Sequence, residues 1–151
     1  MHPMTNDTAL LRCASCATLN RVPVKRLAQN PICGKCKALL DFPFQPVNVT
    51  AASFDRERSS WLETVLVVFW AKGDELWKKV ENTVADIAFS QAGKLKVLKA
   101  DLDAESGLAL LFSVQAAPTF LVLRGGKQLG RLDGAPREAG ELAPWVRKYL
   151  N

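Results

Sequence analysis

The chain has 151 residues, 48% hydrophobic and 23% charged, which suits one globular domain, or one domain with a small appendage, able to bury a core. No apolar run approaches the ~20 residues that cross a bilayer. The opening MHPMTNDTALLRC lacks the basic start and apolar stretch of a secretory signal, so the expectation is a soluble, cytoplasmic protein with no membrane partner.

The net charge of +5 is unevenly placed: residues 1–46 hold six basic against two acidic side chains, and the remainder 14 against 13. A basic segment of this kind reads as a solvated surface around a site that itself becomes anionic; contact with nucleic acid is the alternative.

Residues 1 to about 9 are polar and read as loose. All four cysteines follow, at Cys13, Cys16, Cys33 and Cys36, as Cys-x2-Cys, sixteen residues, Cys-x2-Cys. That spacing is a strong zinc signature, because each short turn lets two thiolates face one tetrahedral ion. Two disulfides or an iron site are the alternatives, and one structural Zn2+ is favoured. Gly34 is expected to supply the backbone freedom of the second knuckle. Leu10 to Leu40 therefore reads as a zinc ribbon, its knuckles joined by a polar, turn-rich connection with Asn20, Pro23, Asn30 and Pro31. Asp41 to Pro46 is expected to be a short stiff linker, which divides the chain into 1–46 and 47–151.

Val47 to Thr50 reads as a short strand and Phe54 to Ser60 as a polar helix packed through Phe54 and Trp61. Val65 to Trp70 is a continuous run rich in β-branched and aromatic residues, the pattern of a strand buried on both faces, although a buried helix of that length looks similar. A polar turn follows, and apolar residues then recur at Leu76, Val80, Val84, Ile87 and Ala88, one stripe of a helix running to about Gln91. Asp74 suits its N-cap and Gly93 its end. Lys94 to Leu102 reads as a second buried strand and Ala104 to Phe112 as a short helix. Phe120–Arg124 and Lys127–Leu132 flank Gly125-Gly126, a hairpin signal. Glu141 to Leu150 is the last helix, with Pro144 tolerated in its first turn. This order predicts an α/β fold: a mixed sheet of about five strands with helices on both faces.

The segment Val65–Trp77, VLVVFWAKGDELW, resembles the active-site segment of thioredoxins, in which Phe-Trp-Ala precedes Cys-Gly-Pro-Cys. Phe69, Trp70 and Ala71 match, while the Cys-Gly-Pro-Cys positions fall on Asp74, Glu75, Leu76 and Trp77. With the cysteine ribbon, the Arg21-Val22-Pro23 motif and the Pro-Val-Asn that closes the linker, the chain resembles the thioredoxin 2 family, the zinc-containing bacterial thioredoxins, over nearly its whole length. The resemblance implies a thioredoxin fold, and a cis peptide before Pro118 in Ala116-Ala117-Pro118-Thr119-Phe120. It also places Gly134-Ala135 in a loop facing the site. The family's buried Asp aligns with Val68, and its lysine partner with Lys99, which reads as a partly exposed side chain snorkelling at a strand end.

Disulfide exchange needs a thiolate to attack and a second thiol to resolve, and Asp74 and Trp77 supply neither. The only histidine is His2, so no catalytic residue is assigned. What the resemblance leaves is a docking surface for a protein or extended peptide at the cis-proline groove: Gly73, Trp77, Ala117, Pro118, Gly134 and Ala135. The expected function is redox-inactive protein binding with a structural zinc. The alternatives are a disulfide oxidoreductase or redox-switched chaperone that uses the ribbon cysteines, and nucleic-acid binding through the basic ribbon.

Overall fold

The computed structural model of the protein describes residues 8–150, so the loose opening expected over residues 1–9 lies almost wholly outside the described residues. Its end belongs to a strand: β1 (Thr8–Arg12) pairs antiparallel with β2 (Leu19–Pro23), Leu10 opposite Arg21. Ala9 and Leu11 are buried while their neighbours are not, the alternation of a half-buried strand. The connection between the knuckles is therefore more regular than expected: β2, then a 3-10 helix over Val24–Gln29 ended by left-handed Asn30 (φ 54°). Val22 and Leu27 are the reason. Both are buried, and regular elements let an inward-facing backbone pair its own polar groups.

Five further strands make the main sheet: β3 (Val47–Asn48), β4 (Thr64–Trp70), β5 (Leu95–Asp101), β6 (Thr119–Arg124) and β7 (Lys127–Asp133). Their spatial order is β3-β5-β4-β6-β7; β3, β5 and β4 are parallel neighbours, while β6 and β7 pair antiparallel. Four helices cover them: α1 (Phe54–Ser59), α2 (Glu75–Ser90), α3 (Ser106–Leu111) and α4 (Leu142–Arg147). The first strand and the last helix are shorter than the sequence suggests. Before α4 the chain makes a 3-10 turn, Ala139–Glu141, closed by reciprocal Glu138 and Glu141 capping bonds, and Pro144 falls in the first turn of α4.

Strand alternation divides the core in two. Val65, Val67 and Phe69 of β4 join Leu98, Ala100, Leu121 and Leu123 on the face covered by α1 and α3. Leu66 and Val68 join Val97, Phe120 and Val122 under α2 and α4. No strand position of β4 from Thr64 to Phe69 is exposed, which is why the run reads as apolar throughout.

The ribbon packs on the α1/α3 face and shares its core: Ala9, Leu11, Cys13, Val22, Leu27, Cys33 and Leu40 form one cluster with Val49, Phe54, Trp61 and Val65. The expected linker is part of that packing and is no free spacer. Phe42 is buried with its ring 4.8 Å from that of Trp61, edge to face, and Phe44 meets Phe89 of α2 at 6.3 Å. Leu11 bridges Trp61 through the backbone, and the Arg12 N–H donates to the Ser60 carbonyl at 3.3 Å. Among the described residues, no helix is long and apolar enough to cross a membrane.

Candidate functional site

The two knuckles repeat one geometry. Cys13 N–H donates to Thr18 O (2.9 Å) and Ala17 N–H to Cys13 O (2.9 Å); Cys33 N–H donates to Ala38 O (2.8 Å) and Lys37 N–H to Cys33 O (3.0 Å). The left-handed residues that close these turns are Ala17 (φ 66°) and Lys37 (φ 68°). Gly34, expected to provide that freedom, keeps a negative φ, and its N–H donates to Asn20 Oδ1 at 2.9 Å. The Asn20 amide in turn donates to Cys33 Sγ at 3.5 Å, so β2 helps to hold the second knuckle.

All four sulfurs lie within 4.8 Å of one another, with Cys13 to Cys36 at 3.5 Å and Cys16 to Cys33 at 3.6 Å. Four sulfurs at ~2.3 Å from one zinc stand ~3.8 Å apart, so the cluster fits one tetrahedral ion. None of the four is in a disulfide. The Cys36 N–H and then the Asn20 amide hold the Cys33 thiol down to about 6. At Cys36 the Ala38 N–H acts in the same sense, but the Cys13 sulfur, burial, and then the Cys16 and Cys33 sulfurs together outweigh it and push the thiol up to about 11. Backbone N–H groups aimed at sulfur are what a thiolate ligand set requires.

The second site lies at the opposite end of β4. There the chain leaves Trp70, turns through Ala71 to Gly73 (φ 79°), and enters α2 at Asp74, whose Oδ1 accepts the Leu76 N–H at 3.2 Å. Asp74 is thus an N-cap. Trp77 is 4% exposed and stacks on Trp70, ring centroids 6.1 Å apart. It backs the surface from below, because the stripe of α2 that carries Val80 and Val84 turns it inward. Leu76 is the residue left outward, 44% exposed. Lys99 does not reach into solvent alone: its ammonium lies over Trp70 (5.4 Å) and Trp77 (5.8 Å).

Thr119 is opposite Phe69 in the β4–β6 ladder, which brings Pro118 level with Trp70. The Ala117–Pro118 bond is cis, and the Pro118 carbonyl accepts the Gly134 N–H at 2.7 Å. Gly134 (φ 82°) has open space where a side chain would stand, and Ala135, like Trp70, is a partly buried residue packed against the core beneath α2. Gly73, Ala117, Pro118, Gly134 and Ala135 are therefore gathered at this end of the sheet, over Trp77. Ala117 is half-buried, and neither its N–H nor its carbonyl has a hydrogen-bond partner among the described residues.

Two buried side-chain atoms lack a partner among the described residues, Trp70 Nε1 and Asp74 Oδ2, and both belong to this turn. Sequence reasoning did not place Trp70 or Leu76 on the surface of the site. The apolar pattern of β4 and α2 marked both as core.

The parallel β-α-β half, the antiparallel hairpin and final helix, and the cis-proline beside the turn into α2 define a thioredoxin fold, here preceded by a four-cysteine ribbon. Residues 45–148 match the Thioredoxin family and residues 12–38 match Thioredoxin 2, N-terminal. Thioredoxin C-3 of Corynebacterium nephridii is 30% identical over 141 residues, covering 93% of this chain and 95% of that protein. Among solved structures, Fasciola hepatica thioredoxin superposes with a TM-score of 0.62 at 24% identity, over 69% of this chain and 98% of its own. Nicotiana alata thioredoxin NaTrxh gives 0.63 at 24%, over 72% and 96%. The chain belongs to the thioredoxin 2 family, and with every cysteine in the ribbon its thioredoxin domain lacks Cys-Gly-Pro-Cys.

Proposed function

We propose that this protein is a redox-inactive thioredoxin 2 relative that holds an extended polypeptide at the cis-proline groove without a covalent bond. The observation that carries the reading is the unpaired backbone of Ala117 beside buried cis-Pro118. An incoming strand can satisfy both the donor and the acceptor, as in strand addition to a sheet edge. Gly73 and Gly134 leave room for it, and Trp77 with Trp70 supplies a rigid apolar support beneath. The zinc is structural on this reading. Four cysteines complete a tetrahedral shell and leave no open position for substrate.

The redox alternative needs ribbon thiols to act at the groove. The ribbon contacts named above gather near Trp61, before β4 begins, whereas the groove lies at its far end, with the seven residues of β4 between them. At ~3.3 Å per residue that is about 20 Å of strand. Sulfur chemistry requires direct contact, so this separation favours binding over exchange.

The test is a titration of zinc-loaded protein with an unstructured polypeptide lacking cysteine, read by tryptophan fluorescence. Binding should be indifferent to reductant and lost in Ala117→Arg, whose side chain blocks the edge. Binding retained in Ala117→Arg, or abolished by reductant, would exclude the groove reading.

A further inference from the structure

β7 lies at the edge of the sheet, yet one of its side chains reaches back to α3. Arg131 stands opposite Leu121 in the β6–β7 ladder, and Leu121 belongs to the face that α1 and α3 cover. Its guanidinium therefore meets the end of α3. Nη1 donates to the Phe112 carbonyl at 2.8 Å and Nη2 to the Ser113 carbonyl at 2.9 Å, while Nε donates to Asp133 Oδ1 at 3.0 Å. The carboxylate side of this clamp is the weak one, because the Asp133 side chain is 67% exposed, against 28% for Arg131. Two neighbouring carbonyls suit the rigid, planar fork of donors that a guanidinium offers.

Both carbonyls need those donors. At the end of α3, Phe112 N–H and Val114 N–H donate to Ala109 O at 3.2 and 2.8 Å, and Ser113 N–H to Leu110 O at 3.0 Å. No backbone N–H among the described residues donates to Phe112 O or Ser113 O, the usual state of a helix C-terminus. Ser113 also takes a left-handed φ of 55°, a conformation that a residue with a side chain keeps only where its surroundings hold it. From there the chain runs through buried Val114 to Ala117 and its unpaired backbone. Thr119 Oγ1 donates to Ala116 O at 2.7 Å, and Gly134 N–H to Pro118 O at 2.7 Å. The segment between α3 and β6 is thus tied to the β7 side at both ends, by Arg131 at its start and by Gly134 at its close.

We propose that Arg131 is a positioning residue for the groove: it fixes residues 113–117 so that the Ala117 backbone is already in place when an extended polypeptide arrives. The proposal rests on the groove reading above. Arg131 acts through the two carbonyls and not by contact with the polypeptide. An edge that is ordered before binding loses less freedom when it pairs, so the same hydrogen bonds give a tighter complex. Without the guanidinium, Phe112 O and Ser113 O lose their donors, and the left-handed turn at Ser113 loses what holds it. The segment then relaxes, and an incoming strand must order it again.

The experiment compares zinc-loaded, full-length protein with its Arg131→Ala variant, each with and without ethylguanidinium far below the denaturing range. Amide exchange reads the segment, and titration with a short synthetic peptide of alternating threonine and valine reads the groove. In Arg131→Ala the Ser113 and Val114 amides should exchange faster while β4 stays protected. The peptide should bind about ten-fold more weakly, as for the loss of one charge-assisted hydrogen bond. Ethylguanidinium should restore both, which a general loss of stability would not allow. Unchanged exchange at Ser113 and Val114 would overturn the clamp. Faster exchange with unchanged peptide affinity would leave Arg131 a structural residue only, and would equally overturn the positioning role. A failed groove reading looks different: the natural protein itself would not bind the peptide, and the proposal would fall with it.

Discussion

Lys99 stands directly opposite Val68 in the parallel β4–β5 ladder, and its ammonium rests over the faces of Trp70 and Trp77. The aliphatic side chain and the two indoles replace the partner a lysine at this place would otherwise seek. Indole faces attract a cation by their quadrupole, by about 0.5–2 kcal/mol according to desolvation. Val68, 0% exposed, adds no charge that would need one.

Restoring a carboxylate tests this arrangement. Val68→Asp should destabilise the protein by about 2–4 kcal/mol, because burial of the charge is only partly offset by Lys99. Leu66→Asp, opposite Val97 on the same face, should cost more, since no cation stands across the ladder. Urea denaturation of the two variants decides it, and equal losses would mean that Lys99 does not reach position 68.

The missing chemistry can be put back at the turn. Asp74→Cys places a thiol at the N-cap of α2, where the helix end lowers its pKa, and Trp77→Cys adds a resolving partner one turn on. The double variant should reduce a model disulfide where the natural protein is silent. It should also lose about 3–5 kcal/mol of stability, because Trp77 is core and its removal leaves a cavity. Turnover by the natural protein would show that ribbon thiols act on substrate after all.

Much of this was legible in the sequence, and the physical reasons are specific. The Cys-x2-Cys pairs announce themselves because metal ligation fixes spacing, and β4 because a strand covered on both faces needs apolar residues throughout. The ribbon's docking was not legible. Leu11, Phe42 and Leu27 carry no mark distinguishing residues that close a small ribbon from residues that meet Trp61 and Gly93 of another element. Gly34 misled for a related reason: a glycine in a knuckle suggests a left-handed turn, but Ala17 and Lys37 take that conformation at the matching place in each knuckle. Trp77 was legible as apolar, and only the packing of α2 shows that it faces inward.

Because Cys13 and Cys33 belong to the same cluster as Phe54 and Trp61, the metal's effect should not stop at the ribbon. Zinc-loaded protein should unfold in one transition. Removing zinc with a chelator, or Cys33→Ser, should lower the Tm of the thioredoxin domain by about 10 °C, the shift expected for a few kcal/mol of lost packing. Calorimetry of loaded and chelated protein, with Trp61→Phe to identify the fluorescence of the junction, checks it. An unchanged domain transition would mean that the shared cluster contributes little.

Gly93 is the sharpest point of that junction. Its φ of 92° follows the end of α2, and a Cβ there would stand 2.7 Å from Val24 Cγ1 and 2.9 Å from Leu27 Cδ1 of the ribbon's 3-10 helix. Gly73, with φ of 79°, has nothing within 4 Å. Alanine at either place meets the same left-handed penalty, about 1–2 kcal/mol. Only at Gly93 must it also push the ribbon away. Gly93→Ala should therefore cost about 1–3 kcal/mol more than Gly73→Ala, the range for overpacking. It should also speed amide exchange in residues 24–29 while leaving β4 protected. Equal losses in the two variants would place the ribbon farther from the α2–β5 turn than the contact of Val24 and Leu27 with Gly93 requires.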